Sequence, residues 1–148
     1  MTDDSDSDPV LRPDDPVRLL MARPVAWVEP ELTLAQLATR LGDESVGAVP
    51  VISGDRLEGV VSERDIVRAL AAGADPDDVW TADVMARPPA HADPDDAILT
   101  VAERMLDEGV RHLPVVSDGQ VVGVVSVRDA LRVLADAWRE LAGAPARR

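Results

Sequence analysis

Apolar residues recur at helical spacing in the first half of the chain. Within residues 34–41 they lie at positions i, i+3, i+4 and i+7, which is one face of a helix. These positions are Leu34, Leu37, Ala38 and Leu41. Residues 25–28 come before this helix and are expected to be extended. A second helix is predicted from Ser62 to about residue 72, where Gly73 ends it.

Two short apolar runs between these helices predict a β-hairpin. Residues 46–52 and 56–61 are rich in Val, and the turn residues 53–55 separate them. Together with the extended segment and the two helices, they predict a β-α-β-β-α unit.

The whole pattern returns after 64 residues. From residue 20 to residue 70, 22 of the 51 pairs that this shift aligns are identical, and no gap is needed. The second copy predicts a helix over about 96–108, strands over 111–116 and 120–125, and a helix from Ser126 to about Leu141. One unit of about 50 residues buries too little surface to be stable alone. We therefore expect an α+β fold in which two copies pack by pseudo-twofold symmetry into one globule.

The repeat also predicts how the chain is organised. Residues 1–16 contain six Asp and are expected to form a disordered acidic tail. The expected order after the tail is a first domain at 17–74, a linker at 75–83, a second domain at 84–142 and a flexible C-terminus at 143–148.

Composition and charge exclude several classes of protein. The 148 residues include 28 Asp and Glu against 15 Lys and Arg, and the formal net charge is −13. This balance argues against binding nucleic acid or an anionic membrane surface. The chain has no Cys, which excludes a disulfide framework and a thiolate metal site. Its two His are too few for a His-rich metal site. No apolar run is long enough to span a membrane, and the acidic N-terminus is unlike a signal peptide, so a cytoplasmic protein is expected.

Known catalytic and metal-binding motifs do not fit the sequence. It has neither a P-loop nor a Gly-x-Gly-x-x-Gly motif, and no Ser, His and Asp set stands out. The acidic clusters at 75–78 and 93–96 lack the Gly and the terminal Glu of an EF-hand loop. We therefore expect no enzymatic activity, no metal site and no required cofactor.

A Ser-x-x-Asp motif follows each predicted hairpin. Ser62 and Asp65 in the first copy, and Ser126 and Asp129 in the second, stand where a strand meets the start of a helix. The unpaired N–H groups of a helix N-terminus suit a phosphate, and a carboxylate suits the two hydroxyls of a ribose. The Arg before each Asp can pair with phosphate. The same motif is also a capping box, which satisfies the N–H groups of the helix itself, and both roles can hold together.

Three motifs occur twice at the fixed offset. They are Met-Ala-Arg-Pro at 21–24 and 85–88, the strands Gly-Ala-Val-Pro-Val at 47–51 and Arg-His-Leu-Pro-Val at 111–115, and Gly-Val-Val-Ser-x-Arg-Asp at 59–65 and 123–129. Over about residues 17–135 the chain resembles a tandem pair of cystathionine-beta-synthase-type (CBS) domains, called a Bateman module. The resemblance implies clefts between the repeats that bind AMP, ADP, ATP or a related compound such as S-adenosylmethionine. It also implies a homodimer that regulates a partner protein. The chain leaves no room for a catalytic domain and so resembles the stand-alone members.

The resemblance further implies two unequal ligand sites, each combining the Ser and Asp of one copy with the middle strand of the other. Site one would contain Ser62, Arg64, Asp65, Val110, Arg111 and His112. Site two would contain Ser126, Arg128, Asp129, Val46, Gly47 and Ala48. Arg111 and His112 suit a phosphate tail, whereas the small residues of site two fit an adenine without adding charge. Site one is therefore expected to be the better phosphate site, unless Arg111 and His112 are simply partly exposed residues at a strand end.

Five further residues have open roles. Arg23 and Arg87 either line the clefts or are solvated. Trp27 either stacks on an adenine or packs in the core. Trp80 and Trp138 lie outside the motifs and are assigned to packing or dimer contacts.

Two functions remain open on the sequence. The first is a ligand-sensing homodimer that binds an adenosyl nucleotide and changes the surface that it presents to a partner protein. The alternative is a structural adaptor for dimerisation or scaffolding, whose clefts hold no physiological nucleotide. The presence of Ser and Asp in both copies favours the first.

Overall fold

The computed structural model describes residues 10–23, 26–87 and 90–145. The first nine residues of the expected tail, Val25 of the first expected strand and the last three residues of the expected C-terminus lie outside these ranges. The first copy contains α1 (Leu34–Glu44), β1 (Ala48–Ser53), β2 (Arg56–Ser62) and α2 (Glu63–Ala71). A short helix, α3 (Thr81–Val84), then leads into the second copy, which contains α4 (Ile98–Glu108), β3 (His112–Ser117), β4 (Gln120–Ser126) and α5 (Val127–Leu141). A 3₁₀ turn at Val17–Leu19 precedes the first copy.

The two hairpins repeat one another in register. β1 pairs antiparallel with β2, and Ala48 lies opposite Ser62. β3 pairs with β4 in the same way, and His112 lies opposite Ser126. The α+β fold with two repeats is thereby confirmed. This pairing also places the first residue of each middle strand beside the Ser that precedes the following helix.

The first predicted strand of the first copy is reduced to one parallel bridge, between Val28 and Val51. Val28 N–H donates to the carbonyl oxygen of Pro50 at 3.1 Å. Extending this pairing by one hydrogen bond would need the N–H of Pro50 in one direction and the N–H of Pro30 in the other. Proline has no N–H, so the pairing ends after one bridge. Both prolines recur in the second copy, which has the same single bridge.

Each apolar core is completed by the chain segment that precedes the other copy. Val17, near the start of the described chain, is fully buried in the second core beside Ile98. Met85 is buried in the first core with Leu34. Because each copy needs apolar side chains from the segment before the other, the two copies form one globule.

The same two segments close the N-terminal ends of α1 and α4. Leu34 N–H donates to the carbonyl oxygen of Val79 at 3.0 Å, and Ile98 N–H donates to that of Asp15 at 2.9 Å. The first N–H groups of a helix have no partner inside the helix, so these carbonyls satisfy them. Residues 11–16 therefore contact the folded body, which differs from the disordered tail expected there. Composition could not indicate this contact, because its partners are far apart in the sequence.

Candidate functional site

A cleft of about 360 Å³ opens between the two copies at the N-terminal end of α2. One wall contains Ser62 and the α2 residues Arg64, Asp65 and Arg68. The opposite wall is the end of α4 and the start of β3, from Glu108 to Leu113. Pockets for small molecules occupy roughly 300–1,000 Å³, so the cleft is large enough for a small ligand.

Ser62 and Asp65 form a complete capping box at the start of α2. Ser62 N–H donates to Asp65 Oδ2 at 2.8 Å, and Ser62 Oγ donates to the same oxygen at 3.0 Å. In return, Asp65 N–H donates to Ser62 Oγ at 3.3 Å. In the part of the chain that the structure describes, no hydrogen bond reaches Asp65 Oδ1. This oxygen is therefore available to a hydroxyl group in the cleft.

Three arginine side chains line the cleft. Arg64 and Arg68 are four residues apart on α2 and so share a face of the helix, and Arg111 belongs to the opposite wall. Among the residues described, none of the three makes an ion pair. The acidic residues that line the cleft with them are Glu63, Asp65 and Glu108. An anionic ligand can therefore meet guanidinium groups that are not paired with protein carboxylates.

Backbone hydrogen bonds fix the residues just before the middle strands. The carbonyl oxygen of Arg111 accepts from Val127 N–H at 2.7 Å, and that of Gly47 accepts from Glu63 N–H at 2.9 Å. Each bond joins a middle strand to the first residue of the final helix in the same copy. The positions of Arg111 and Gly47 in the cleft are therefore set by the backbone.

His112 is a half-buried titratable group in the cleft. A Cβ on Gly47 would lie 3.7 Å from His112 Cε1 and 3.8 Å from Glu63 Oε2. Burial lowers the pKa of His112 below its usual value. The carboxylate of Asp129 opposes this shift, Arg111 adds to it and Glu63 opposes it. The imidazole is therefore mainly neutral in the ligand-free protein at pH 7.

Comparison with known families identifies the repeat. The CBS domain family matches residues 14–72 and 81–136, one match for each copy. The chain belongs to the CBS domain family. The resemblance read from the three repeated motifs is thus confirmed.

Two relatives illustrate the range of protein lengths in which this CBS domain pair occurs. Hypoxic response protein 1 of Mycobacterium tuberculosis is 32% identical over 119 residues, which cover 79% of this chain and 83% of that protein. An uncharacterized protein of Methanopyrus kandleri is 31% identical over 114 residues, or 75% of this chain. The match spans 58% of the length of the Methanopyrus protein.

A solved structure shares the fold. The CBS domain pair of protein MJ0100, in complex with 5′-methylthioadenosine and S-adenosyl-L-methionine, has a TM-score of 0.77 and is 24% identical. The match covers 84% of this chain and 99% of that one. A CBS domain pair is a regulatory ligand-binding module, and the MJ0100 pair was crystallised with those two compounds.

Hypoxic Response Protein I was solved with two coordinated zinc ions, at a TM-score of 0.69 and 31% identity, covering 79% of this chain and 97% of that one. Within residues 10–23, 26–87 and 90–145 of the present chain, no group of three or more His, Cys, Asp or Glu side chains is placed to hold a metal ion. None of the helices described there combines the length and the apolar character that crossing a bilayer requires.

The six residues expected at site one all line the cleft between the CBS domains. Gly47 and Ala48, which were expected at site two, line it as well, because Ala48 pairs with Ser62 across the first hairpin. The residues expected at site two that do not line this cleft are Val46, Ser126, Arg128 and Asp129.

The second CBS domain arranges its Ser-x-x-Asp motif differently. Asp129 N–H donates to Ser126 Oγ at 3.1 Å. The Asp129 carboxylate lies 3.9 Å from Arg132 Nη1, and the described hydrogen bonds include none from Ser126 N–H to this carboxylate. Of the two Ser-x-x-Asp motifs, only the one at Ser62 therefore forms a complete capping box among the described hydrogen bonds.

Sequence reasoning missed several residues that line the cleft. Arg68 could have been found, because it follows Arg64 by one helical turn. Glu63 stands inside the Ser-x-x-Asp motif but is not one of its defining residues. Glu108 carries no local signal, because it lines the cleft only once folding has placed the end of α4 across from α2. The small residues Val60, Ala86 and Ala90 complete the lining.

The residues with open roles lie elsewhere. Arg23 and Trp27 line a second cavity, of about 520 Å³, beside the turn of the first hairpin and the start of β4. Trp27 is 42% exposed and so is not a core residue. Arg87 donates to the carbonyl oxygen of Ala82 at 3.3 Å and does not line the cleft. Trp138 on α5 is 71% exposed.

Proposed function

We propose that this CBS domain pair is a ligand-sensing module that binds an adenosyl nucleotide in the cleft at Ser62 and Asp65 and regulates a partner protein. The observation that supports this proposal is the meeting, in one cleft, of a helix N-terminus, a carboxylate oxygen and three arginines that have no ion-pair or hydrogen-bond partner among the described side chains. These groups match the ribose and the phosphate of one small molecule. A regulatory role follows if the ligand binds one conformation of the module more tightly than another.

Each group in the cleft has a distinct role in this proposal. Asp65 accepts a ribose hydroxyl at Oδ1 while Oδ2 keeps its bonds to Ser62. The phosphate lies near the first turn of α2 and takes Arg64 or Arg111 as its counter-charge. The adenine lies against Ala48 and the other small residues of the lining, Val60, Ala86 and Ala90, while the His112 ring lies beside Gly47.

Calorimetric titration with AMP, ADP, ATP, S-adenosylmethionine and 5′-methylthioadenosine at physiological salt tests the proposal. Saturable binding of at least one of them is expected, and AMP should bind more tightly than adenosine. If none of these compounds binds at millimolar concentration while the protein is folded, the ligand-sensing function is wrong. The structural adaptor would then be the better account.

Arg111→Ala is expected to weaken AMP binding by about tenfold and to leave adenosine binding unchanged. The reason is that a charge-assisted hydrogen bond to phosphate is worth roughly 1.5–3 kcal/mol, and adenosine has no phosphate. Arg56→Ala is the matched control, because it removes the same charge from an exposed residue of β2 that does not line the cleft. Equal losses for AMP and adenosine would contradict a phosphate contact at Arg111.

We also propose that the module forms a homodimer through exposed apolar residues of α2 and α5. Val67 and Leu70 on α2 are 63% and 46% exposed, and Leu131, Trp138 and Leu141 on α5 are 58%, 71% and 85% exposed. The three α5 residues lie at i, i+7 and i+10, close to one face of the helix. An isologous interface would bury this face in both copies.

Trp138→Glu is expected to convert the dimer to a monomer at micromolar concentration, because it places a carboxylate in the apolar contact. Sedimentation velocity measures the change. Arg132→Glu on another face of α5 is the control and should remain dimeric. A wild-type protein that sediments only as a monomer, with and without AMP, would rule out the dimer.

A further inference from the structure

We propose that the protein takes up a proton from solvent when a phosphate-bearing ligand binds in the cleft, and that His112 receives this proton. The inference rests on the proposed function, since it requires a phosphate in this cleft. It adds that the module measures the concentration of its ligand and the pH together. It also assigns to His112 the task of distinguishing phosphorylated ligands from unphosphorylated ones.

The position of His112 brings its imidazole to the ligand side of the cleft. His112 begins β3, so its backbone is held by the second hairpin. The ring lies beside Gly47, since a Cβ at that residue would be in van der Waals contact with it, 3.7 Å from Cε1 and 3.8 Å from Nε2. Among the described residues, neither ring nitrogen has a protein hydrogen-bond partner. Both nitrogens are therefore available to a group that the protein does not supply.

Charged residues on α2, on α5 and just before β3 act on the His112 imidazole. Glu63 on α2 and Asp129 on α5 favour its protonated form, whereas Arg111, the residue before it, favours the neutral form. The remaining charged residues that line the cleft are Arg64, Asp65, Arg68 and Glu108. Burial outweighs the two favourable carboxylates, so the free protein holds a mainly neutral ring.

A bound phosphate changes this balance. It brings a negative charge into a partly desolvated cleft, beside an imidazole that already has two carboxylates nearby. A negative charge beside the ring favours the imidazolium form and so raises the pKa of His112. The proton comes from the solvent, the ring gains one N–H that can donate to a phosphate oxygen, and no bond of the ligand is made or broken.

Proton uptake makes binding depend on pH in a defined direction. A ligand that binds the protonated form better is bound more tightly as the pH falls towards the pKa of the free imidazole. The affinity for AMP, relative to that for adenosine, should rise about threefold or more between pH 7.5 and pH 6.0. The phosphate of AMP itself titrates near pH 6 and carries less charge at the lower pH, so the contribution of His112 must be isolated with a variant.

Calorimetric titration of the full-length protein with AMP, in buffers of different ionisation enthalpy at pH 6.5, counts the protons taken up. The wild type should take up at least about 0.3 proton more than His112→Gln. Adenosine should cause no uptake with either protein. The chain has only two histidines, so His91→Gln, which removes the exposed one that does not line the cleft, is the matched control and should behave as wild type.

The possible results are distinguishable. AMP binding with equal proton uptake in wild type and His112→Gln would overturn this inference and leave the proposed function standing. Loss of proton uptake in His91→Gln rather than in His112→Gln would also overturn the inference and leave the proposed function standing. If neither AMP nor adenosine binds the wild type, the proposed function fails and this inference fails with it.

Discussion

Asp65→Ala is expected to weaken AMP binding at least about tenfold and to lower the free energy of unfolding by about 1 kcal/mol. The binding loss is expected because the proposed function assigns Asp65 Oδ1 as the acceptor for a ribose hydroxyl. The stability loss arises because Asp65 Oδ2 accepts from both the N–H and the Oγ of Ser62. Calorimetry with AMP and denaturant unfolding measure the two effects separately.

Asp129→Ala is the matched control for this variant. Asp129 occupies the equivalent position in the second CBS domain, but its carboxylate does not line the cleft and does not complete a capping box. Its carboxylate acts on this cleft only through the charge that favours protonated His112, so Asp129→Ala should weaken AMP binding there by no more than a few-fold. If Asp65→Ala binds AMP as wild type does and Asp129→Ala does not, the assignment of the nucleotide to the Ser62 cleft is wrong. If both variants lose a similar small stability and neither loses affinity, the motif only caps helices.

Gly59→Ala is expected to lower the free energy of unfolding by about 2 kcal/mol or more, because the site has no room for a methyl group. A Cβ on Gly59 would lie 2.7 Å from the carbonyl oxygen of Ala86 and 2.8 Å from Met85 Sδ. The carbonyl cannot easily move, since Ala86 N–H donates to the carbonyl oxygen of Val60 at 2.9 Å. Denaturant unfolding monitored by circular dichroism gives the loss.

Gly42→Ala provides the contrast for this prediction. Gly42 lies in α1, its backbone is not in the left-handed region, and a Cβ there would meet no atom within 4 Å. Alanine is the better helix former, so this variant should be about 0.5–1 kcal/mol more stable than wild type. A Gly59→Ala protein with wild-type stability would mean that the start of the second copy does not approach β2 as closely as described.

The internal repeat made the hairpins and the main helices predictable, because each apolar pattern could be read twice. Element ends were less predictable. The helix expected from residue 96 begins at Ile98, because Asp96 accepts from Asp93 N–H at 2.9 Å and from Arg104 Nη1 at 3.0 Å. These bonds make Asp96 part of the turn before the helix. The prolines that shorten the first strands are visible in the sequence, but their effect depends on which strand pairs with which.

The candidate site was predictable as far as its motifs reach. Ser62 and Asp65 follow from their place between a strand and a helix. Their meeting with Arg111 and His112 came from the family resemblance and could not be derived from spacing. The inclusion of Glu108 and Gly47 in this cleft depends on how two helices and two hairpins pack in three dimensions. No local pattern of residue types records that packing.

Each core is completed by the segment that precedes the other copy, so the two CBS domains differ in when they can fold during synthesis of the chain. The first core is completed by residues that follow it directly, and Thr81 Oγ1 donates to the carbonyl oxygen of Leu32 across 49 positions. The second core needs Val17 from near the start of the chain, and the accompanying pair of Arg18 with Asp95 spans 77 positions. Closing a longer loop costs more chain entropy, and chains emerge from the ribosome N-terminus first. The first core can thus form from one continuous stretch. The segment at residues 10–23 has no core to pack against until the second copy has been synthesised.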